Sequence, residues 1–255
     1  MTQVLPRPRL HSSALLHFLA EKGMVNAATE PGDVGQRLGD WLNFRQAIAL
    51  QGFMGSVDTS STPPVQATVR VNAAVLRARF AKVRAALEQS IVQGTPPAPG
   101  MAHIELPPPE LVQPIDPRSA FDPFRRYCTG QQRQMETVIR SLRAQVRGML
   151  AKGTTPHRQL AALDALFENI LLEREARLLG QLASEFEKRF AKALKPHLQQ
   201  LVSAAEADEP APRAQTWLAP LCEDMRTALL AELDLRLQPV QGLIEALIPD
   251  NPRPS

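Results

Sequence analysis

RSAFDPFRRYCTGQQRQMETVIRSLRAQVRGMLA, residues 118–151, is the stretch whose reading decides the fold. Phe121, Phe124, Cys128, Met135, Val138, Ile139, Leu142, Val146 and Leu150 recur at three- and four-residue spacing. That is the period of one buried helical face. Arg126, Arg133, Arg140 and Arg147 recur every seventh residue and fall on the opposite side. They form a stripe about 31 Å long at ~1.5 Å of rise per residue. The segment is therefore an amphipathic helix with an apolar seam and a basic back, running from about 118 to 151 and stopped at Gly153.

The same period extends outward in both directions. Thr154 or Thr155 caps a following helix with Pro156 at its first position, where proline fits because that N–H has no intrahelical partner. Leu160, Leu163, Phe167, Ile170 and Leu171 share one side of it. Leu178, Leu182, Phe186, Phe190 and Leu194 follow at every fourth residue, so the buried surface winds around the helix, which implies a partner helix crossing at an angle or a change of partner along the length. Pro196 is expected to kink or end it. A last helix is expected over 214–237, on Leu218, Leu221, Met225, Leu229, Leu233 and Leu237, with Pro239 opening a short terminal one.

Toward the N-terminus, helices are expected at 12–22, stopped by Gly23, and at 33–51, the two forming a hairpin. Residues 55–68 read as a loop. Asn72 caps a third helix reaching about 92 on a seam of Leu76, Phe80, Val83, Leu87 and Ile91. Eight of the chain's 23 prolines lie between Gly94 and Pro117. That density reads as an extended connector, because proline fixes φ and lacks a donor. The fold expected is all-α, an elongated helical bundle with long coiled-coil-like helices and a Pro-rich linker. Its parts are an N-terminal hairpin (1–54), a loop and basic helix (55–93), the linker (94–117), a long-helix bundle (118–248) and a tail (249–255).

Charge is modest overall, +3, but unevenly placed. Residues 118–158 carry nine basic side chains against two acidic ones, whereas 206–255 carry nine acidic against four basic. The two regions can serve outside partners or each other. Cys128 and Cys222 make neither a disulfide framework nor a metal site, and fit a reducing cytoplasm. No apolar run approaches a membrane span, and the start of the chain is not a signal peptide.

The search for chemistry returns little. Neither a phosphate loop, a nucleophile elbow nor a metal-ligand spacing occurs, and the five histidines are expected in surface or capping roles. Neither catalysis nor a cofactor is expected. Arg126, Arg133, Arg140 and Arg147 are instead the candidate interaction residues, since only Glu136 lies between them to neutralise them. A charged helix face is ordinarily a solvated one. Among active roles, a protein partner ranks first, through self-association, possible dimerisation or an acidic helix. Nucleic acid ranks below, because the chain has one tyrosine and no basic–aromatic platform. Membrane-surface contact ranks lowest, because the helix's apolar side is committed to a core.

Three stretches carry a resemblance: Gln36–Leu42 (QRLGDWL), Thr155–Asp164 (TPHRQLAALD) and Leu229–Asp234 (LLAELD), the last continuing to Leu237-Gln238-Pro239-Val240. Together they resemble an uncharacterised proteobacterial family, the domain of unknown function numbered 3348, over most of the chain. The resemblance implies no activity, cofactor or catalytic residue. Its association with genes for proton-channel and peptidoglycan-binding envelope proteins implies a cytoplasmic accessory to an envelope machine. The function expected is thus a non-enzymatic scaffold or adaptor, with a nucleic-acid-associated protein as the alternative and an enzyme third.

Overall fold

The computed structural model describes residues 13–24, 42, 44–57, 73–94, 103–108, 110–111, 113–207, 210 and 215–247. Six helices account for most of them: α1 (Ala14–Glu21), α2 (Phe44–Val57), α3 (Ala73–Gln93), α4 (Asp122–Leu150), α5 (Thr155–Glu206) and α6 (Gln215–Glu245). No strand occurs among the described residues. The chain is an all-α bundle.

α6 is the hub. It packs against α1, α3, α4 and α5, and α4 also packs against α3 and α5. The sequence explains this centrality, since Leu218, Leu221, Met225, Ala228, Leu229, Leu233, Leu237, Val240, Leu243, Ile244 and Leu247 are all buried. They span more than a single stripe, as a helix with neighbours on several sides requires. At one end of the core, Phe121, Phe124 and Phe190 cluster with centroids 5.3–5.9 Å apart, and Trp217 meets Phe190 edge-on at 5.4 Å.

The seam expected on the arginine helix is buried at every position except Val138, which is half-buried. On α3, Leu76, Leu87 and Ile91 are buried while Phe80 and Val83 are half-buried against the same core. α1 ends at Gly23, whose φ of +65° is the left-handed stop that glycine accommodates. Leu15 of that helix is buried, but Leu16 is 56% exposed.

Several expectations need correction. Pro196 does not end α5, which runs unbroken for 52 residues, about 78 Å at ~1.5 Å per residue. Phe190, Leu194 and His197 are buried on either side of the proline. Packing there outweighs the one hydrogen bond that proline forfeits. Pro239 likewise lies inside α6, as does Pro220, so the residues from Pro239 to Glu245 continue α6 rather than form a separate terminal helix. The helix expected at 33–51 is observed from Phe44 to Val57, overrunning the start of the expected loop and packing against α5. Its 33–41 portion, and with it the expected hairpin, lies outside the described residues. His197 is not a surface histidine. It is 3% exposed, its ring 5.8 Å from that of Trp217.

The proline-rich stretch is also less free than a spacer. Residues 103–108 form a strap without regular secondary structure that is anchored on the bundle. Ile104 joins the core against α4 at Gly130, and Leu106 closes on Gly94. Gly94 has φ +70°, and a Cβ there would stand 2.7 Å from Leu106 Cγ and 2.8 Å from Leu106 N. Only glycine permits both the turn and the close approach.

Candidate interaction surface on the arginine helix

α4 begins with Asp122 and Pro123 in its first turn, a carboxylate and a proline where the free N–H groups favour both. From there the period of the sequence carries its arginines outward, but the four do not share one fate. Arg147 is only 17% exposed and donates to Asp164 at 3.0 Å and to Glu168, both on α5. Arg143, off the stripe, grips Asp164 in a bidentate pair at 2.6 and 2.9 Å. These contacts clamp α4 to α5. Arg140 pairs along its own helix with Glu136 at 2.7 Å, and both remain about half exposed.

Arg126 and Arg133 differ from both. They are exposed, and neither guanidinium forms a hydrogen bond or ion pair among the described residues, although their backbone carbonyls accept from Thr129 and Thr137. They line an open groove of about 870 Å³ between the strap and α4. Ile104, Leu106, Tyr127 and Val138 supply apolar wall, and Glu105 lies on the strap side. The wall is rigidly braced. Tyr127 donates its hydroxyl to the Ile91 carbonyl, and Gln131 donates to the Ser90 carbonyl at 2.7 Å. Burial pushes the Tyr127 hydroxyl above its ordinary range, which keeps it a neutral donor.

Among the described residues, the acidic C-terminal region does not neutralise the stripe. On α6, Asp224 pairs with Lys22 and Arg189, Asp234 with Arg84, and Glu232 with Arg236. The stripe's carboxylate partners come from α4 and α5 instead, so an internal pairing with the last helix is ruled out for the described residues.

Sequence reasoning missed a buried polar relay behind the stripe. Gln132 donates to the Leu179 carbonyl at 2.8 Å and to Glu232 at 2.9 Å. Arg236 donates to Glu232 at 2.8 Å and to Glu175 at 2.9 Å. Glu232 is fully buried, and burial holds its carboxyl above the ordinary carboxylate range although Arg236 and Gln132 pull the other way. The available signal was positional. Gln131, Gln132 and Gln134 sit on the seam side of α4, where polar residues must find partners.

Cys128 is fully buried, and desolvation raises its thiol to about 12, so it is an inert core group. Both cysteines are free. Among the described residues no cluster of His, Cys, Asp or Glu is placed to hold a metal ion, and no helix is long and apolar enough to cross a membrane.

A comparison with known families agrees with the resemblance carried by the three leucine-rich stretches. The matching family is described as "Protein of unknown function (DUF3348)", and the match extends over residues 1–248. No curated protein and no solved structure matches the chain. The chain belongs to the DUF3348 family.

Proposed function

We propose that this protein is a non-enzymatic helical adaptor that docks a protein partner on the outward face of α4. The observation that carries this reading is the pair Arg126 and Arg133, exposed, without an ion pair among the described residues, and lining the same groove. Arg140 extends the face, while Arg147 belongs to the clamp on α5. A cytoplasmic setting accords with two free cysteines. An accessory role beside an envelope machine accords with the gene association that the family resemblance implies.

Affinity capture from the producing cells tests the proposal, comparing the native chain with an R126E/R133E/R140E variant. A discrete protein retained by the native chain and lost from the variant is the expected result. Light scattering at low and high salt identifies the case in which that partner is a second copy. Retention by the charge-reversed variant, or recovery of nucleic acid alone, overturns the proposal.

A further inference from the structure

The groove constrains what the partner presents. Arg126 and Arg133 stand two turns apart on α4, about 10.5 Å along its axis. A polyproline II-like segment has three residues per turn and rises ~3.1 Å per residue, so its carboxylates at i and i+3 share one side about 9 Å apart. Flexible arginine side chains absorb the difference. An open groove of about 870 Å³ also admits a few residues of extended chain better than a helix about 10–12 Å across. Ile104, packed on Gly130 between the two cations, and Val138, beyond Arg133, give the groove an apolar wall for the residues that separate and follow such carboxylates. Glu105 lines the opposite, strap side, where it repels a carboxylate and so directs the acidic edge of a ligand toward α4.

We propose that this groove binds an extended acidic segment of a partner protein, with carboxylates three residues apart on Arg126 and Arg133 and apolar side chains against Ile104 and Val138. The proposal rests on the docking role of the α4 face argued above. It adds the chemical class and the conformation of what is docked.

A short dye-labelled peptide of Glu-Leu-Pro repeats is the probe, titrated against the full chain by fluorescence anisotropy. Saturable binding is expected, weakened about tenfold or more by R126A/R133A and by replacing the peptide's glutamates with glutamine. An E105Q variant is expected to bind about twofold more tightly, and R177A, an exposed arginine on α5, to bind as the native chain does. Circular dichroism verifies that each variant keeps its helices. Equal binding of the glutamine peptide, failure of the glutamate peptide to bind, or stronger binding of oligothymidylate or anionic vesicles overturns the proposal.

The two readings fail differently. If charge reversal abolishes partner capture while the glutamate peptide does not bind, the adaptor stands and the acidic segment falls. If the peptide binds through both arginines but capture is indifferent to charge reversal, the groove is acid-binding and the docking role falls.

Discussion

Glu232 shows how much one side chain can conceal in a leucine-rich sequence. It lies in Leu229–Asp234, a stretch that reads as ordinary helix surface and seam, yet it is fully buried at the junction of α4, α5 and α6. Its neighbours satisfy both oxygens, so the cost of burial is partly offset, but its proton affinity in the folded state stays above the ordinary value of 4.5. The folded state therefore holds this proton more tightly than the unfolded chain does. Stability contributed by Glu232 is present at acid pH and is lost as pH rises through the window above 4.5. Glu232→Gln removes the titration while leaving a group that can accept from Gln132. Urea unfolding at several pH values should show the variant gaining on the native chain as pH rises. A constant difference between the two would refute this.

Among the elements, α5 departs furthest from its local propensities. A proline at 196 forfeits one backbone bond and crowds the preceding turn, and an isolated helix would break there. The helix persists because Phe186, Phe190 and Leu194 before the proline and His197 after it are all buried. Pro196 itself is exposed, so its ring contributes little packing. Pro196→Ala restores the donor to the Lys192 carbonyl, and the gain exceeds the added entropy of the unfolded chain. The expected stabilisation is about 1 kcal/mol, or roughly 2–4 °C in Tm for a chain of this size, measurable by thermal unfolding followed at 222 nm. A lower Tm would show that the ring is required by the packing. The apolar side of α5 is interrupted in the middle of the helix. Buried positions fall at 161 and 170 and again from 182. Leu178, between them, is 61% exposed, and Leu179 is half-buried against the core, with polar contacts made by Glu175 and the Leu179 carbonyl.

Across the whole molecule, arginines divide into those that hold the bundle together and those that face outward. Asp164, 9% exposed, is gripped by Arg143 and Arg147. Asp164→Ala strips Arg143 of its partner and is expected to cost about 3 kcal/mol. Arg133→Ala, on the same helix, is expected to change stability by less than about 0.5 kcal/mol. Chemical denaturation of both variants separates the roles, and a costly R133A would mean that the groove face is structural.

Sequence period alone determined that the chain is all-α, where α3, α4 and the start of α6 lie, and which faces of α3 and α4 are buried. Those properties depend on residues three and four apart, which a helix brings together whatever surrounds it. It also determined that four arginines share a side. Tertiary structure alone decided that Arg147 is tied to α5 while Arg126 and Arg133 make no ion pair among the described residues, that two prolines leave α6 intact and one leaves α5 intact, and that Ile104 straps a proline-rich segment onto α4. Each of those outcomes depends on which carboxylates, leucines and glycines from distant parts of the chain arrive at the same place. Local periodicity carries no information about that arrival.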